Sequence, residues 1–180
     1  MKKLIRIIGI GLLVAFIGIQ FIRPNQTNPP LDPKTDFLTL TQPPAEVAQM
    51  IRSSCYDCHS HETKYPWYAN VAPVSWILQD HIMEGREHLN FSKWGTPQAL
   101  GEGEEEAGEA LEEIVETIQE GEMPLWDYAM MHPEARLSDA QKNQLIAWFQ
   151  TLPSGTAMST DEKTAKPASD THEAEDEDED

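Results

Sequence analysis

Cysteine is nearly absent from the 180 residues: the chain has two, Cys55 and Cys58. Alone they cannot close a structural zinc site, which takes four ligands and commonly a second C-x-x-C or a His pair. Positive charge is scarce as well. Lys and Arg number 13 against 31 Asp and Glu, a formal net charge of −18. Such a surface repels phosphate backbones, which argues against nucleic acid. It also gives the globular part no cationic means of holding anionic lipid. No internal repeat and no convincing strand pattern is visible, so there is no βαβ frame. Paired carboxylates, a nucleophile triad and a phosphate loop are missing too. These absences leave an all-α reading with no sign of catalytic chemistry in those patterns. They also leave an acidic surface that would steer a basic-surfaced partner toward it.

What is present is Cys55-Tyr56-Asp57-Cys58-His59, the C-x-x-C-H attachment signature of a c-type haem. Two thiols about one helical turn apart can add across the two vinyl groups of one porphyrin, and the following imidazole binds iron from the proximal side. Other readings compete. His61 could join Cys55, Cys58 and His59 around zinc, but the spacing is cramped for a zinc loop. A redox dithiol wants a strand before it. A plain disulfide leaves His59 without a role.

Taken in order, the chain opens with Lys2, Lys3 and Arg6, followed by an apolar run from Ile7 to Ile22 interrupted by Gln20. Residues 1–23 read as a signal-anchor transmembrane helix, since the run approaches the roughly 20 residues that span a bilayer. The basic end stays cytoplasmic, which sends the rest outward. A cleaved signal peptide is the alternative, but no A-x-A-like cleavage site follows the run. Residues 24–36, rich in Pro, Asn and Thr, read as an extended tether. Residues 37–153 form the domain, about 115 residues.

Within it, Pro43 and Pro44 open a helix whose Val47, Met50 and Ile51 share a face and which runs into Cys55. Ser60 to Pro73 reads as a haem-covering loop. From Val74 to Leu89 the pattern predicts a helix with Val74, Ile77, Leu78, His81, Ile82, Gly85 and Leu89 on the inward face. His81 is thereby a distal-ligand candidate, or else a satisfied core or propionate-binding histidine; His88 lies near the same face. Gly101 to Gly108 reads as a loop. Ala107, Ala110, Leu111, Ile114, Val115 and Ile118 mark the buried stripe of the next helix, opposite a face carrying Glu109, Glu112, Glu113, Glu116 and Glu120.

Met123-Pro124 follows that helix, and a thioether is a soft ligand for low-spin iron. Met123 is therefore the expected distal ligand, with Met130, Met131 and His132 as rivals and a core methionine as the bland alternative. Ser138 caps the final helix, with Leu145, Trp148, Phe149 and Leu152 on one face; that helix is expected to cross the first one near Cys55. Residues 154–180 read as a disordered acidic tail.

Beyond the signature, Val71-Ala72-Pro73-Val74-Ser75-Trp76, His81, the stretch Gly85 to Trp94, Met123-Pro124, and His132-Pro133 through Leu137-Ser138 resemble the bacterial haem-binding domain family, a cytochrome c-like group. The likeness covers roughly Asp36 to Leu152. It implies an all-α, cytochrome c-like helical domain around one covalent haem c, held by Cys55, Cys58 and His59, and leaves the reaction undefined. The leading functional expectation is a membrane-anchored monohaem electron carrier on the exported side of the bacterial inner membrane, serving a redox partner protein rather than acting as a catalyst. The alternative is a haem-based gas or oxidant sensor with an open distal position; peroxidase activity is a third, weaker reading because no acid–base set accompanies the motif.

Overall fold

The computed structural model describes residues 1–99 and 107–153. Of the glycine-rich stretch expected at 101–108, residues 101–106 lie outside the described residues, as does the acidic tail at 154–180, while 107 and 108 open a helix. The fold is all-α, with no strand among the described residues. The helices are α1 (Lys2–Ile19), α2 (Phe37–Thr41), α3 (Ala45–Ser54), α4 (Tyr56–His59), α5 (Val74–His88), α6 (Ala107–Glu120), α7 (Trp126–Met131) and α8 (Asp139–Phe149), and 3-10 turns occur at Trp67–Asn70, Phe91–Lys93 and Pro133–Ala135.

Apolar spacing decides most of the packing. Val47, Met50 and Ile51 of α3 are buried, as are Ala110, Leu111, Ile114 and Ile118 of α6 and Leu145 and Phe149 of α8. These stripes meet where α8 packs on both α3 and α6. Ser138 starts α8 with a capping box: its hydroxyl accepts from Gln141 N–H at 3.4 Å, and the Gln141 side chain accepts from Ser138 N–H at 2.9 Å. Such a cap satisfies two orphan donors of the first turn.

The centre of the core is aromatic. Phe37 is fully buried, with ring centroids 4.8 Å from both Phe91 and Trp94, 5.9 Å from Trp148 and 6.0 Å from Phe149. Burying one phenylalanine contributes about 1.5–3 kcal/mol. Asp36 fixes the start of α2: it accepts from Thr39 N–H at 3.1 Å and from the Tyr56 hydroxyl at 3.0 Å. The same Tyr56 oxygen accepts from Leu38 N–H at 3.2 Å. A spacer residue of the C-x-x-C-H segment thereby caps the helix that brings Phe37 into the core.

Two observations bear on the N-terminal segment. First, no helix among the described residues is long and apolar enough to cross a membrane. The 18 residues of α1 include Lys2, Lys3 and Arg6, and none of its side chains is buried. Second, the Pro-rich segment after α1 is hydrogen-bonded along the domain. The Gln20 amide donates to Ala72 O at 3.1 Å and its oxygen accepts from Ala72 N–H at 2.9 Å. Trp76 Nε1 donates to Ile22 O at 2.8 Å, Gln26 to Ala69 O, and Asn28 to Thr63 O at 2.8 Å. The Ser60–Pro73 stretch serves this docking and contributes nothing to the lining of the cavity described next.

Candidate haem site

One cavity of about 380 Å³ opens between α4, α5, α6 and the segment joining α6 to α7. Cys55, Cys58, His59, His81, His88 and Met123 all line it. The C-x-x-C-H segment owes its shape to a break between α3 and α4. Cys55 N–H still bonds Ile51 O at 2.9 Å, while Cys55 itself leaves helical geometry at φ −124° and its carbonyl accepts from Cys58 and His59 at 3.2 and 2.9 Å. Both thiols are thus presented by a single turn, and neither is in a disulfide.

Burial pushes the Cys55 thiol up to about 12, with Cys58 adding to the rise. Cys58 is raised to about 11 by burial and then by Asp57 and Asp127, with Arg86 opposing. Both are protonated at neutral pH. Burial also holds His59 below its ordinary range, against the bond to Leu89. Its Nδ1 lies 3.2 Å from Leu89 O. A carbonyl only accepts, so Nδ1 carries the proton and Nε2 keeps a lone pair, the arrangement a metal-binding imidazole requires.

Gly85 makes the close approach possible. A Cβ at this position would stand 3.2 Å from Cys58 O and 3.3 Å from Cys58 Cβ. The backbone of α5 therefore presses on the attachment turn itself. The sequence signal for this was an isolated glycine inside a helical pattern, which commonly has a packing reason.

The facing wall comes from α6 and its exit. Gly121 adopts φ +77°, a left-handed conformation that suits glycine at a helix C-terminus. Glu122 and Met123 N–H groups fold back onto Thr117 O at 3.0 and 3.2 Å. That turn carries Met123 into the cavity wall. Its rivals point elsewhere. Met130 and Met131 are half exposed, and His132 bonds the Tyr68 hydroxyl at 2.6 Å through Nε2 and Glu134 at 3.1 Å through Nδ1. His61 is also engaged away from the cavity, by Pro30 O at 2.9 Å and Asn90 at 3.1 Å.

On α5, His81 and His88 both reach the cavity, and His81 Nδ1 lies 3.9 Å from Asp127 Oδ2. The inward face is shifted from the expected one, since Ser75 and Ile82 are buried while Val74 and Ile77 are exposed. Sequence reasoning also missed Tyr128, a lining residue whose hydroxyl donates to Asp57 Oδ2 at 2.8 Å. Glu84, Glu113 and Glu122, all exposed, stand at the cavity edge.

The residues fit a haem. The volume lies within the range of about 300–1,000 Å³ typical of ligand sites. Leu89, Phe91, Ala110, Ile114 and Ile118 give an apolar lining. Soft sulfur and a neutral imidazole supply the donors such an iron takes. The family of haem-binding domains matches the chain over residues 14–151. No curated protein and no solved structure matches it.

Proposed function

The chain belongs to the haem-binding domain family, and from that premise we propose that it is a membrane-attached, monohaem c-type electron carrier working outside the cytoplasm. The carrying observation is that the C-x-x-C-H turn and Met123 occupy two walls of the same cavity. When bound, haem supplies a one-electron iron couple, whose potential is raised by His/Met ligation. Cys55 and Cys58 would hold the group through their thiols, the lone pair of His59 Nε2 would bind its iron, and the Met123 thioether would offer a second donor. His81 is the alternative distal ligand. Their fixed positions favour a change of charge with little rearrangement. Glu84, Glu113 and Glu122 at the rim favour a basic-surfaced redox partner by electrostatic steering.

Membrane attachment rests on α1. Its apolar part is short for a bilayer, and Lys2, Lys3 and Arg6 would have to extend their charged ends to the interface. The uncovered apolar surface of α1 is what supports that reading.

A second reading follows from His81 and His88 lining the cavity. If Met123 does not ligate, either histidine can donate a hydrogen bond to a small oxidant or gas at an open iron position. Spectra of matured protein separate the two. The carrier predicts a six-coordinate, low-spin reduced haem that becomes five-coordinate in Met123→Ala and is unchanged in Met130→Ala. An unchanged Met123→Ala spectrum, or a wild-type haem that already binds carbon monoxide readily, overturns the carrier reading.

A further inference from the structure

From Tyr65 to Gln79 there is no charged side chain, in a chain of net charge −18. Tyr68, Ala69, Ala72 and Ser75 of this stretch are buried, but its apolar groups are not all folded inward. Trp67 is 76% exposed, Val74 44% and Ile77 50%. Phe21 and Ile22, just beyond α1, are likewise exposed. The two groups meet at one place. Gln20 grips both backbone atoms of Ala72, two residues before α5, and Ile22 O receives the Trp76 indole N–H. The exit of the uncovered helix α1 is therefore bonded to the chain on either side of the exposed Val74.

We propose that this face rests in the interfacial layer of the bilayer that takes up α1, with Trp67, Val74 and Ile77 among the lipid headgroups. The inference rests on the membrane attachment proposed above and adds the orientation of the domain. The chemistry selects the occupant. An uncharged strip of tryptophan and aliphatic side chains suits the membrane–water boundary, and it needs no anionic lipid, which the chain's negative charge would repel. A soluble protein partner would not account for the bonds to the exit of α1. The geometry has a consequence for the cavity. Along α5, His81 is seven residues from Val74, about 10 Å at 1.5 Å per residue. The haem cavity therefore stands close above the lipid surface.

The test uses the full, haem-loaded chain in vesicles of phosphatidylcholine. The thioethers occupy Cys55 and Cys58, so Ile77→Cys and Trp67→Cys each give a unique thiol for a nitroxide at an exposed position. Gln144→Cys, on the exposed side of α8, is the aqueous control. Flotation with the vesicles first establishes attachment. The labels at 77 and 67 should then show a several-fold higher ratio of oxygen to nickel-chelate collision than the label at 144. Protein that floats but carries labels as chelate-accessible as the control overturns the orientation and spares the anchor. Labels shielded from both reagents mark a protein contact and also overturn it. Protein that does not float refutes the anchor, and with it this inference.

Discussion

Replacing Gly85 with alanine sets two effects against each other. At an unconstrained position inside a helix, alanine is favoured over glycine by about 1 kcal/mol. At Gly85 the new Cβ meets Cys58 O at 3.2 Å, Cys58 Cβ at 3.3 Å and Cys58 C at 3.4 Å, inside the 3.5–4.0 Å or so at which carbon contacts are most favourable. The obstacle is mostly backbone, so it cannot rotate away; α4 has to shift by a few tenths of an ångström. Overpacking of this kind costs about 1–3 kcal/mol. The net expectation is a loss of about 0–2 kcal/mol, centred near 1. With an urea dependence of about 2 kcal/mol per molar, the unfolding midpoint of matured Gly85→Ala should fall by roughly 0.5 M. Haem content, measured as the pyridine haemochrome, should fall with it because the displaced segment carries Cys58. A midpoint raised by the full helix-propensity gain, with normal haem content, would refute the claim that α5 presses on the attachment turn.

Tyr56→Phe keeps the ring but strips Leu38 N–H of its acceptor and Asp36 of a donor; the loss should be about 1–3 kcal/mol, read by the same denaturation. Before haem attachment, the thiols should alkylate with iodoacetamide more slowly at pH 8 than in the unfolded chain, since both stay protonated well above the ordinary value near 9. The same shifts fix a sign. The unfolded thiols ionise from about pH 9 while the folded ones hold their protons to about 11 and 12. Stability of the unloaded chain is therefore fully present below pH 9 and declines as pH rises through that window. A midpoint that stays flat or rises between pH 9 and 11 would contradict the buried placement of Cys55 and Cys58.

The C-x-x-C-H turn, the stripes of α3, α6 and α8 and the Ser138 cap were legible because each is a local or strictly periodic signal. The turn that delivers Met123 was legible for the same reason, since glycine and proline punctuate it. The remainder depended on neighbours. A helical period shows which residues share a face, not which face is covered. On α5 Gly85 lies against Cys58, yet Val74, on the same side of the helix three turns earlier, is exposed while Ser75 is buried. Phe37 sits in a five-residue helix, too short for a period to emerge, and owes its burial to partners more than fifty residues away. Tyr128 reaches the cavity through a hydrogen bond to Asp57, a pairing across 71 residues that no pattern announces.

Between the two cysteines, neither spacer side chain is idle. Tyr56 reaches into the interior and steadies α2, while Asp57 reaches outward, accepting from Tyr128 on α7 and from Lys64 N–H at 3.1 Å. The short signature is thus riveted on two flanks. Exchanging either spacer would leave the two cysteines and the histidine in place yet disturb parts of the protein remote in sequence, so permissive-looking positions of the motif are, in this chain, among its more constrained.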